Sequence, residues 1–163
     1  MLIAFFVSII EDYFKSCFVA LLKYSPEKEK FLRGVRLRSD QIARVSDGKE
    51  NVEQVVAETL SFQRISIACK NFEAIDRALA GALRKPYNRR RLSLYDQLEQ
   101  LTDSRNRFVH RADLDLSLTN VAVDAALRDV EVAMTRVQRA ILKRHSWEFY
   151  ETWGIGRVGR KTE

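Results

Sequence analysis

The chain has 163 residues, 46% hydrophobic and 31% charged, with a formal charge of +6, which allows one domain with a real core and leaves no room for a second. Six glycines and two prolines leave few turns, excluding a collagen-like chain, a loop-rich disulfide scaffold and most β-sandwiches. The expected class is all-α, an antiparallel bundle of about four to five main helices with short accessory helices, spanning residues 1–145 and followed by a tail over 146–163. Cys17 and Cys69 are too few for a disulfide framework and stand at no zinc-ligand spacing, so both are expected as small core hydrophobes, and no metal or cofactor is expected. The apolar opening is interrupted by Glu11, Asp12 and Lys15, far short of the ~18 residues of a bilayer span, so a cytoplasmic protein without membrane contact is expected.

Residues 2–23 repeat apolar groups at Ile3, Phe6, Ile10, Tyr13, Cys17 and Leu21 and again at Leu2, Phe5 and Ile9, a stripe wide enough to predict a mostly buried first helix. Its polar seam is Ser8, Asp12, Lys15, Ser16 and Lys23. Glu11 lies off that seam, with Val7, Phe14 and Phe18 as helical neighbours, and an acid on an apolar edge needs a partner. Ser25-Pro26 predicts the start of a short helix that Gly34 closes. Residues 34–50 read as a connector with one or two helical turns. From Glu50 to Leu83 no strong breaker occurs, and a break near Ser61 is expected because a single helix of that length is improbable. Lys85-Pro86-Tyr87-Asn88 reads as a loop.

Ser93 and Asp96 form a capping-box pattern that opens a helix with the face Leu94, Leu98, Leu101, Arg105 and Phe108, ending near His110. A polar stretch, 111–118, precedes a last helix from about Thr119 to Lys143. There Val123, Leu127, Val130, Met134, Val137 and Ile141 recur every three or four residues, as a core stripe or a dimer seam. The tail carries Trp147, Phe149, Tyr150 and Trp153, then basic residues among glycines. Its aromatic half is expected to dock and its basic end to fray.

The charge is concentrated. Between Arg84 and Arg111 stand eight basic residues (Arg84, Lys85, Arg89, Arg90, Arg91, Arg105, Arg107 and Arg111) against three acids, Asp96, Glu99 and Asp103. Such a patch attracts polyanions through counterion release, and Tyr87 could stack a base. The plainer alternative is a solvated basic loop.

Within that patch lies Arg105-Asn106-Arg107-Phe108-Val109-His110. An arginine followed five residues later by histidine is a weak signal by spacing alone; asparagine directly after the arginine makes it specific. The pattern resembles the Arg-Asn-x3-His signature of the higher eukaryotes and prokaryotes nucleotide-binding (HEPN) family. The likeness extends to its place at the end of the penultimate long helix, after Leu92, Leu94, Leu98 and Leu101 and before one last amphipathic helix. Ile9-Ile10-Glu11-Asp12-Tyr13-Phe14 is similar to the aromatic-acidic segment of the family's first helix. The resemblance implies a dimerising helical bundle, often a metal-independent endoribonuclease, found in toxin–antitoxin, phage-defence and RNA-processing settings. It also implies RNA and a second copy of the chain as partners, and an antitoxin or nucleotidyltransferase as a further one. Some family toxins carry a tyrosine two residues after the histidine as a nucleotidylation target; Ala112 stands there, which argues against that switch.

The residue types suit the chemistry. Attack by RNA's own 2′-hydroxyl needs a proton acceptor, and His110 is the one histidine of the patch. Arg105 offers a permanently charged fork to the scissile phosphate, Asn106 a donor to phosphate or a partner that fixes the imidazole tautomer, and Glu11 an acid behind Arg105 or His110. The structural alternative is that His110 complements its helix dipole while Arg105 pairs with Glu11 in the core. Asn106 and His110 fall on one helix face, whereas Arg105 and His110 diverge by about 140°, so a composite site across a two-fold axis is expected. His145, after Lys143 and Arg144, reads as a surface residue at a helix end.

Overall fold

The computed structural model describes residues 2–77, 79–85, 92–111, 119–152 and 155–160. Up to His145 the regular structure of the described residues is helical, and two antiparallel strands follow. Among the described residues the helices are α1 (Leu2–Tyr24), α2 (Lys28–Leu32), α3 (Ser39–Ser46), α4 (Val52–Glu58), α5 (Ile65–Glu73), α6 (Ala80–Arg84), α7 (Leu94–Arg111) and α8 (Asn120–His145). Three are long, α1, α7 and α8 with 23, 18 and 26 residues, and five are short, so the expected four to five main helices resolve into a framework of three. No helix among the described residues is long and apolar enough to cross a membrane.

α1 is the central element, packed against α8, α4 and α7. Phe14, Phe18, Leu21 and Leu22 are fully buried, and Phe6, Val7 and Ile10 nearly so. Phe14 meets Phe72 edge-on at 5.8 Å, and Phe18 meets Phe62 at 5.4 Å, tying α1 to α5 and the segment before it. Removing any one of these rings would cost about 3–5 kcal/mol. The second apolar row behaves differently: Phe5 and Ile9 are 64% and 43% exposed, beside Asp12 on the outer side of the helix. Cys17 and Cys69 are free thiols in this core, and burial pushes each up to about 11, so neither is a ready nucleophile.

Two breaks interrupt residues 50–83. One falls at 59–64, around the expected Ser61, whose Oγ accepts from the Gln63 amide at 3.5 Å. The other, at 74–79, carries no breaker in the sequence. There the amides of Ile75 and Asp76 both turn back to the Phe72 carbonyl, placing Ile75 and Leu79 in the core and the largely buried Asp76 carboxylate against Arg144.

α8 starts at Thr119, whose Oγ1 accepts from the Ala122 amide at 3.2 Å. Its periodic stripe is mainly core: Val130, Val137 and Ile141 are buried, and Met134 packs against them. Leu127 is 48% exposed. Val130 and Val137 therefore belong to the core of the monomer, with Met134 partly buried beside them. Ser146 ends α8 in the left-handed region, φ 52°, its amide returning to the Leu142 carbonyl. The chain then enters β1 (Trp147–Thr152), antiparallel to β2 (Ile155–Arg160), with Trp147 opposite Arg160. Trp147 docks as expected, 6% exposed. The basic end over 155–160 does not fray; its backbone pairs with the β-favouring aromatic strand.

Candidate functional site

α7 carries the motif, and its position is fixed well before the motif begins. Ser93 opens it with a reciprocal cap: the Ser93 amide donates to Asp96 Oδ2 and the Asp96 amide to Ser93 Oγ, both at 3.2 Å. Leu94 and Leu98 are buried beneath it. Glu99 accepts from the Ser66 amide at 2.6 Å and from Arg64 at 3.3 Å, while Arg64 also reaches Asp103 at 2.9 Å. The three acids of the basic segment are thus engaged in the cap or with Arg64, and among the described residues none of them forms an ion pair with Arg105 or Arg107.

At the C-terminal end of α7 the motif side chains divide. Arg105 is half-buried, and its Nη1 donates to Asn106 Oδ1 at 3.0 Å. It lies close enough to Glu11 on α1 for its charge to act there. Burial holds the Glu11 carboxyl above the usual range, and Arg105 pulls in the opposite direction. Arg105 is therefore the stronger of two cations, with Lys15, whose charge acts on the acid at the apolar edge of α1. Among the described residues no direct hydrogen bond joins Glu11 to Arg105.

His110 is exposed. With Asn106, Arg107, Gln100, Asp103 and Ser104 it lines an open depression of about 670 Å³ along the outer face of α7. Arg107 Nη2 donates to Ser104 Oγ at 3.3 Å. Arg105 is not in that lining, which matches its 140° divergence from His110 on the helix. One chain thus brings Asn106, Arg107 and His110 together in one lining, while Arg105 lies outside it, hydrogen-bonded to Asn106 and near enough to Glu11 for its charge to act there. With Asn106 Oδ1 occupied, its amide N–H groups stay available to a phosphate oxygen, Arg107 supplies charge, and His110 can take or give a proton.

The remaining expected contacts fall elsewhere. Arg84 is exposed, its guanidinium 5.6 Å from the Tyr95 ring centroid and 3.6 Å from Glu73. Lys85 is exposed, and its carbonyl accepts from Arg136 at 2.7 Å. Tyr87, Arg89, Arg90 and Arg91 lie outside the described residues, as does the side chain of Arg111. Gln100, Asp103 and Ser104 were missed by the sequence reading. The signal for them was the polar series 100, 103, 104, 107, 110, one face of a helix.

His145 departs from the surface position expected of it. Its side chain is 16% exposed, with Nε2 3.6 Å from Asp76 Oδ2 and its ring 5.1 Å from Trp147. Among the described residues no group of three or more His, Cys, Asp or Glu side chains is placed to hold a metal ion. No family model, curated protein or solved structure matches this chain.

Proposed function

We propose that this chain is a HEPN-type endoribonuclease that cleaves RNA without a metal ion, using a site completed by a second copy. The observation that carries the reading is the placement of the Arg105-Asn106-x3-His110 pattern at the solvent-facing end of α7, where His110, Asn106 and Arg107 share one open face. His110 is the proton acceptor for the 2′-hydroxyl; Asn106 and Arg107 hold the phosphate. Arg105, outside that lining in its own chain, meets the phosphate from across the two-fold axis, because it diverges from His110 by about 140° on their shared helix. A toxin or phage-defence role, with an antitoxin or nucleotidyltransferase partner, rests on the resemblance alone.

Incubating the purified protein with mixed RNA in excess chelator tests the reading. Fragments ending in 2′,3′-cyclic phosphate are expected. Tight binding with intact RNA would overturn the enzyme and leave a non-catalytic RNA- or nucleotide-binding module, the reading favoured by the separation of Arg105 from His110 within one chain.

A further inference from the structure

We propose that the turn joining α2 to α3 is a second RNA-binding strip, in which Arg33, Arg36 and Arg38 hold the phosphate backbone of a single strand away from the motif. This deepens the ribonuclease reading and rests on it for the identity of the polyanion.

Residues 30–39 hold four cations, Lys30, Arg33, Arg36 and Arg38, and no acid. All four are exposed, and Lys30 pairs with Glu27 at 3.3 Å. In the second half of the turn exposure alternates: Val35 and Leu37 pack against the core, while Arg36 and Arg38 face solvent. At about 3.3 Å per residue an extended segment sets such alternate positions ~6.6 Å apart, the order of the separation between successive phosphates in an extended strand. The backbone is held at both ends. The Gly34 and Val35 amides donate to the Phe31 and Leu32 carbonyls at 3.1 and 3.0 Å, and the Arg38 amide donates at 2.9 Å to Oε1 of Gln41, a side chain only 4% exposed. The three guanidinium groups therefore start from fixed positions, which lowers the ordering cost of binding.

Little opposes their charge. Among the described residues neither Arg33 nor Arg36 forms an ion pair. Arg38 reaches Asp40 at 3.4 Å, a pair exposed on both sides and so of little energy. Its charge also acts on Glu58, whose carboxylate Arg44 already holds at 2.6 Å. A guanidinium offers phosphate oxygens a planar fork of donors. Residues 32–41 contain no aromatic side chain to enter a bilayer interface or to stack a base, which favours a strand held by its phosphates over a membrane surface. The strip is also distinct from the motif. Phe31 packs on Phe18 of α1 at 5.7 Å, whereas the charge of Arg105 acts on Glu11, seven residues and about 10 Å away along that helix.

Binding of a 2′-O-methyl oligouridylate of roughly 12 nucleotides, within the site sizes of single-strand binders, tests this on the full chain, because a strand without free 2′-hydroxyls stays intact. Arg33→Gln, Arg36→Gln and Arg38→Gln together should weaken binding on the order of tenfold at low salt and reduce the slope of log K against log salt by about 2, from about 0.7 per phosphate contact. Lysine at the same three positions should keep the parent's slope, since the charge remains. Circular dichroism checks helicity, and if the triple glutamine variant loses it, Arg36→Gln alone should still lower the slope by about 0.7. Parent affinity and slope in a folded glutamine variant, or an equal loss of slope in the lysine variant, overturns the strip. So does a glutamine variant that keeps its RNA binding and loses binding to phosphatidylserine–phosphatidylcholine vesicles, which would assign these arginines to a membrane. Cleavage of mixed RNA by the same preparation separates the two ideas. Cleavage by a protein whose strand binding ignores the three arginines sinks the strip alone, strip-dependent binding without cleavage sinks the enzyme alone, and neither binding nor cleavage sinks both.

Discussion

His110 ends α7 and His145 ends α8, each in a turn rich in basic residues, yet the fold places them in opposite environments. His110 is exposed on a face formed by its own helix and makes no hydrogen bond with other described residues. His145 is enclosed by Asp76 from the α5–α6 break, by Arg144 of its own turn and by Trp147 of β1, with Arg77 and Glu27 lining the same recess. Tyr24, at the end of α1, meets Trp147 edge-on at 5.5 Å. Two histidines with similar local sequence therefore do different work. The first leaves its imidazole exposed to solvent, and the second packs between Asp76 of the helical body and Trp147 of the hairpin.

Exchanging the two histidines' fates is the sharpest way to break that comparison. His110→Ala and Arg105→Ala should each lower RNA cleavage by about 10²–10⁴-fold, the range for loss of a positioned acid–base or charge-stabilising group, with helicity unchanged. His145→Ala should leave the cleavage rate near wild type. Unchanged cleavage by His110→Ala would remove it from the chemistry, and a joint loss of helicity would assign it to the fold. Mixing Arg105→Ala chains with His110→Ala chains tests the shared site, since demonstrated heterodimers should regain one intact centre. A protein that stays monomeric at working concentration would exclude the composite arrangement.

At the other end the cost should appear as stability. Trp147→Ala removes a buried indole and should cost about 3 kcal/mol or more in denaturant unfolding. Asp76→Ala should cost about 1–3 kcal/mol, because it leaves the partly buried His145 and its neighbour Arg144 without their carboxylate, and His145→Ala should cost less, since Asp76 keeps Arg144. A Trp147→Ala variant as stable as the parent would show the hairpin to be an appendage that the body does not need.

These two ends also mark what the sequence could and could not disclose. Local signals located α1, the Ser93–Asp96 cap, the Thr119 start of α8 and the divergence of Arg105 from His110, because caps and helical periodicity are written in residues a few positions apart. The break at 74–79 left no such trace. It exists because Ile75 and Leu79 gain burial and Asp76 gains Arg144, a residue 68 positions away. The enclosure of His145 depends on the same long-range contact, so a helix-end histidine read locally as a surface residue is half of a tertiary junction. The exposure of Phe5 and Ile9 was hidden for a related reason: amphipathicity tells how wide an apolar stripe is, and only the neighbours decide how much of it they cover.

The basic segment offers a smaller and graded effect. Neutralising Arg89, Arg90 and Arg91 together should weaken RNA binding and flatten its salt dependence, each lost contact to single-stranded RNA reducing the slope of log K against log salt by about 0.7. Wild-type affinity and slope in the triple variant would reduce the cluster to a solvated loop.

The smallest effect is expected behind the motif. Burial raises the Glu11 carboxyl above its ordinary value, with Arg105 opposing the rise, so the folded protein holds that proton to higher pH than the unfolded chain does. Ionising Glu11 therefore disfavours the fold. The cost is absent where the carboxyl is protonated in both states, grows as pH rises through the carboxylate range, and is fully present at neutral pH. Glu11→Gln, nearly isosteric and uncharged, should raise the melting temperature slightly at neutral pH, and the gain should vanish as the solution is acidified below that range. If Glu11 instead serves mainly to aim Arg105, the same variant should lose cleavage activity while its melting temperature rises. That pairing separates positioning from stability, since a purely structural carboxylate would move the melting curve and leave the rate alone.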